Sequence, residues 1–126
     1  MKYACLVYLQ EAEIGKLSQS AWDALNTECM AFGQQIVDSG QRLGGEALEP
    51  SFTATTLRVR NGKVSTVDGP FAETKEQLAG FYLIEAKDLN EALQIASRIP
   101  PARYGTIEVR PVRELSETGN SSFRPQ

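Results

Sequence analysis

The run LAGFYLIEA at 78–86 constrains the fold more than any other stretch, because Glu85 is its single charged side chain. Tyr82 and Ile84 point one way and Phe81 and Leu83 the other, so it reads as a central strand that needs cover on both faces. Gly80 removes a side chain where a second backbone or a ligand comes close. Immediately upstream, Asp68, Gly69 and Pro70 have the chemistry of a turn, and Phe71 is placed to fold back as an apolar plug. Between turn and strand stand Glu73, Thr74, Lys75, Glu76 and Gln77. Two readings of that cluster are open: a pocket on which Asp68, Glu73 and Lys75 converge, or a solvated turn with weak surface ion pairs.

The rest of the chain supplies partners for this strand. Residues 2–9 are aromatic and aliphatic enough for a first strand, again central. A polar loop over 10–17 leads to a helix that Ser18 or Ser20 can cap. Its Trp22, Leu25, Cys29, Phe32 and Ile36 recur at spacings of three and four, which makes one apolar stripe to lay on a sheet, and Gly40 ends it. Residues 41–48 form a short second strand in which Gly44 and Gly45 predict a bulge. Residues 53–60 and 63–67 flank Asn61-Gly62, a type I′ hairpin signal. Leu57 and Val59 share the face expected to pack, and Arg58 and Arg60 the other. Asp88 with Glu91 predicts a capping box for a second helix carrying Leu89, Ala92, Leu93, Ala96 and Ile99 on one face, stopped by Pro100 and Pro101. The last strand, 106–112, alternates Ile107 and Val109 with Glu108 and Arg110.

That order predicts an α+β fold: a ferredoxin-like βαββαβ plan with an added hairpin, an antiparallel sheet and two helices on one of its faces. The domain is expected over 1–113, and 114–126 as a polar tail in which Phe123 anchors on a neighbour. The second sheet face remains bare and apolar, so the subunit is expected to form a homodimer whose sheets pack face to face or close into an α/β barrel. Polar residues at the rim of that face then enclose a cleft, with Asp68, Glu73, Lys75, Tyr82, Arg58, Glu46 and Glu108 as candidate lining. Two acids near a lysine can shift one another's pKa and supply a general base. The alternative roles are structural: Asp68 as the cap of its own turn, Tyr82 as a core side chain, and Arg58 with Glu108 as cross-strand neighbours.

Composition narrows the chemistry. The chain has no histidine, so neither a Ser-His nor a Cys-His nucleophile can form, and no metal or cofactor is expected. With 13 basic and 16 acidic side chains the net charge is -3, and no basic run is available for phosphates, so nucleic acid is not an expected partner. No run is long and apolar enough to span a membrane, and the N-terminus turns acidic where a signal peptide needs its cleavage site. A cytoplasmic protein is expected, with Cys5 and Cys29 as small core residues.

The stretch DGPFAETKEQLAGFYLIEA resembles the signature of DGPF-domain proteins within the YCII-related family. The likeness continues through MKYACLVY, LGGEAL, TATTLRVRNGK and IPPARYGTIEVRPV. It implies a dimeric α/β-barrel fold built from ferredoxin-like subunits. Some members of that family are associated with extracytoplasmic-function sigma factors, and others carry a catalytic His and Asp pair. Asp38 is the residue that corresponds to that Asp, but without histidine the pair cannot form here.

Two functions follow from this reading. One is cofactor-independent proton-transfer or lyase chemistry on a small polar molecule near Asp68–Lys75. The other is a non-catalytic regulatory or protein-interaction module of sigma-factor systems.

Overall fold

A computed structural model describes residues 1–115, so the Phe123 anchor expected in the tail lies outside the described residues. In chain order the elements are β1 (Lys2–Leu9), α1 (Glu11–Ile14), α2 (Gln19–Asp38), β2 (Arg42–Ala47), β3 (Thr55–Arg60), β4 (Lys63–Asp68), β5 (Gln77–Glu85), α3 (Leu89–Ala96) and β6 (Gly105–Pro111). Short 3-10 turns at Ser51–Thr53 and Pro100–Tyr104 lead into β3 and β6.

β5 and β1 hold the centre of a four-stranded sheet of order β2-β5-β1-β6, with every pairing antiparallel. This is the ferredoxin-like arrangement, in which α2 carries the chain from β1 to β2 and α3 from β5 to β6. Tyr3, Cys5, Val7 and Ile84 pack against Phe32 and Ile36 of α2 and Ala92, Ile95 and Ala96 of α3, so both helices cover one face. Ala4, Leu6, Tyr8, Phe81 and Leu83 belong to the opposite face, where no helix among the described residues lies, and remain partly exposed.

Local chemistry accounts for the helix ends. The Ser18 hydroxyl accepts from the Ala21 N–H at 3.2 Å, and the Asp88 carboxylate accepts from the Glu91 N–H at 2.9 Å. Glu91 reaches back to the Lys87 N–H, one residue before the cap, at 3.2 Å. Gly40 closes α2 with φ +74°, a left-handed value that favours glycine.

Five expectations are corrected. The loop foreseen over 10–17 contains α1, whose first turn carries Glu11 and Glu13 where the helix dipole favours acids. The buried stripe of α3 is Ala92, Ile95 and Ala96, continued by Ile99, while Leu89 and Leu93 are exposed at its rim. On α2 the stripe is buried at Leu25, Phe32 and Ile36, but Trp22 is 41% exposed because the start of the helix stands off the sheet. Phe71 is no plug: it is 78% exposed. The apolar face of the hairpin is not covered by the described residues either, Leu57 being 59% exposed, because β3 and β4 form a two-stranded sheet of their own.

Other sequence features appear where they are expected. Asn61 and Gly62 both have positive φ, 51° and 75°, which is the hairpin turn their order predicts. The register of β2 on β5 slips between Arg42 and Gly44, placing a bulge beside the paired glycines. A Cβ on Gly45 would sit 2.6 Å from the Phe81 carbonyl oxygen, and one on Gly80 would sit 2.9 Å from that of Glu46. The two glycines therefore let the backbones of β2 and β5 approach each other.

Candidate functional site

Because the N-terminal half of α2 stands away from the sheet, a cavity of about 710 Å³ opens between that helix and strands β2 and β5. Trp22, Leu25 and Cys29 line it from the helix, Val7 and Leu9 from β1, and Tyr82 from β5. The space is within the usual range for a small-molecule site, and its walls are mostly apolar. Gly33 lines it too, and a Cβ built there meets no atom within 4 Å. Glycine in a helix interior costs stability relative to alanine, so this position keeps open a space that packing alone would fill.

One part of the wall is polar. Tyr82 lies on the helix-covered face, with its ring edge-on to Phe32 at a centroid distance of 5.3 Å. Burial raises its pKa above the ordinary phenol value, the neighbouring Cys29 adds to that, and the Arg42 guanidinium pulls it back. The phenol is thus held protonated at neutral pH. Arg42 anchors one guanidinium nitrogen on the Gly45 carbonyl at 3.0 Å, and Gly45 is the residue paired with Tyr82 across the ladder. Cys29 is half-buried, and its thiol pKa is raised by burial first and by Glu28 second, against the pull of Arg103. Arg103 bonds Glu28 at 2.6 Å and ties the Pro100–Tyr104 turn to α2.

The mouth is braced by residues the sequence reading did not single out. Glu11 accepts from both the Ser51 N–H and the Ser51 hydroxyl at 2.7 Å. Its own N–H donates to the Gln77 side-chain carbonyl at 2.9 Å. A lone Glu after a strand carries no local signal of such a role. Among the described residues no group of three or more His, Cys, Asp and Glu side chains gathers as a metal site.

The candidate lining foreseen from sequence is divided between separate places. Tyr82 and Glu46 line the cavity, but Tyr82 does so from the face covered by α2, not from the bare face. Glu46 pairs with Phe81 in the ladder, so its side chain belongs to the bare face and its backbone to the cavity wall. Glu108 is on the bare face, where it accepts from the Tyr8 hydroxyl at 3.3 Å and from Arg110 at 3.2 Å. Arg58 faces Ser65 within the hairpin and is no cross-strand neighbour of Glu108. Asp68 ends β4, and Glu73 and Lys75 follow in the exposed connection to β5. Glu76, in that segment, accepts from the Thr106 hydroxyl at 3.1 Å. Asp38 accepts from Gln34 at 2.8 Å at the far end of α2, outside the cavity lining.

Fold and cavity together define a ferredoxin-like α+β domain with a small-molecule-sized chamber under its first long helix. The chain belongs to the YCII-related domain family, whose model matches residues 1–116. It is 41% identical over 115 residues to an uncharacterized protein of Rhizobium meliloti (strain 1021), a match covering 89% of this chain and 92% of that protein. No helix among the described residues is long and apolar enough to cross a membrane.

Proposed function

We propose that this chain is a small-molecule-binding protein of the cytoplasm that works as a homodimer, with the cavity beneath α2 as its binding site. The observation that carries the reading is the unfilled chamber of about 710 Å³ with Gly33 in its wall. Asp68, Glu73 and Lys75 are the second candidate, but all three stay exposed, so the ligand is assigned to the chamber. The bare sheet face, with Leu6, Phe81 and Leu83 half-exposed, supports pairing of two copies through it. Two free cysteines are in keeping with a reducing compartment.

Tyr82 is the group through which cofactor-independent proton transfer would run, since burial keeps it protonated at neutral pH inside the chamber. A regulatory or interaction module of sigma-factor systems needs the same cavity but no such step. Turnover of a bound ligand that is lost in Tyr82→Phe supports the enzyme, and binding without turnover supports the module.

The single tryptophan, Trp22, lines the chamber and is a built-in reporter. Titration with 1-anilinonaphthalene-8-sulfonate is expected to quench Trp22 emission by energy transfer to the bound dye. Gly33→Leu, which fills the open space, is expected to abolish the quenching. Equal quenching in the wild type and in Gly33→Leu would place the ligand elsewhere.

A further inference from the structure

We infer that the chamber selects a ligand with a hydrocarbon or aryl body and a single carboxylate, and that Arg42 and Tyr82 receive the carboxylate. The inference rests on the chamber being the binding site and adds the chemical class of its occupant. It begins with the unequal distribution of polar groups around an apolar wall. Arg42 is the single basic residue of the lining. Its one hydrogen bond among the described residues goes to the Gly45 carbonyl, which leaves the other guanidinium N–H groups to donate. The Tyr82 hydroxyl makes no hydrogen bond among the described residues, although the residue is only partly exposed and its ring is fixed against Phe32.

The local backbone sets both groups in the lining of one chamber. The bulge between Arg42 and Gly44 re-aims the start of β2, and the ladder pairs Gly45 with Tyr82. The guanidinium is moored on the carbonyl of Gly45, and its positive charge acts on the Tyr82 phenol from the same chamber wall. A side chain on Gly45 would come within 3.1 Å of the Tyr82 Cα and 3.4 Å of its ring, so only glycine leaves that approach clear. Arg42 thus offers N–H donors and Tyr82 a phenol O–H to one largely apolar chamber. Carboxylates suit that geometry because they accept from both.

The acids of the lining do not cancel this preference. Glu11 is occupied by the two donors of Ser51. Glu46 turns its side chain to the other sheet face beside Phe81. Glu49 lies past the opposite end of β2 from Arg42.

Octanoate, 1-octanol and octylamine share one body and differ in the head, so their affinities isolate the wall that reads it. They are measured by Trp22 emission and by calorimetry near pH 8, where octanoate is an anion and octylamine a cation. Octanoate is expected to bind about tenfold or more tightly than 1-octanol, the range of one charge-assisted hydrogen bond. Arg42→Gln is expected to reduce octanoate to the level of 1-octanol, and Tyr82→Phe to weaken it several-fold, with 1-octanol unchanged in both. Arg42 is exposed, so its replacement leaves the fold intact. Equal affinity for octanoate and 1-octanol, tightest binding of octylamine, or an octanoate preference that survives Arg42→Gln would each overturn the inference. In those cases 1-octanol binding that Gly33→Leu removes still upholds the chamber as the site. Failure of all three ligands and of the naphthalene dye removes both readings.

Discussion

The Glu11 carboxylate receives both donors of Ser51, N–H and hydroxyl, at 2.7 Å, and so joins the end of β1 to the turn before β3 across 40 residues of sequence. The bond is charge-assisted and partly buried, and its loss leaves the Ser51 N–H without its carboxylate partner. Glu11→Ala is expected to cost about 1–2 kcal/mol in urea unfolding. Amide hydrogen exchange in the Ser51–Thr53 turn should rise well before the core opens. Unchanged exchange there would mean that other contacts hold the mouth of the chamber.

Gly33→Ala tests whether space in the chamber is retained at the expense of stability. A Cβ at this position touches nothing, and the helix gains the propensity difference. The variant is expected to be more stable by about 0.5–1 kcal/mol, which raises Tm by roughly 2–6 °C. Thermal unfolding followed by circular dichroism measures it.

Cys5 is fully buried, and burial pushes its thiol pKa up to about 11. The folded pKa lies above the unfolded one, so the native state holds its proton to higher pH than the unfolded chain does. This contribution is intact below about pH 9 and disappears as pH rises through the folded value near 11. Between about pH 8 and 10.5 the wild type is expected to lose roughly 2 kcal/mol more stability than Cys5→Ala. Urea titrations of both proteins across that range give the difference in slope.

Leu6 stands on the bare sheet face, paired with Phe81 on one side and Glu108 on the other. If two copies cover that face, a charge at its centre is desolvated without a partner. Light scattering is expected to give twice the 13.8 kDa chain mass for the wild type and a single chain mass for Leu6→Glu. A wild type that stays monomeric at micromolar concentration would remove the dimer from the proposal.

Much of the fold was legible because its signals are local. Ser18 and Asp88 cap helices through donors three residues away, and Asn61-Gly62 makes its turn with its own two φ angles. The alternation of Tyr82 and Ile84 with Phe81 and Leu83 correctly announces a central strand with two different faces. It does not say which of them the helices cover, so Tyr82 is open to both the bare face and the core until its packing against Phe32 decides for the covered face. The exposed Phe71 and Leu57 show the same limit, since apolar character states a need for cover without naming what supplies it.

By itself, the amino-acid order determined the strands and helices, their caps and turns, and through their succession the ferredoxin-like plan. These depend on periodicity and on backbone chemistry within a few residues. Only the tertiary structure decided that α2 leaves the sheet near Trp22, that Glu11 meets Ser51, and that Arg42 is moored on the Gly45 carbonyl in the wall that Tyr82 also lines. Each of those follows from the register of β2 on β5, the bulge that offsets it and the stand-off of a helix, and such long-range placements are set by the packing of the whole domain.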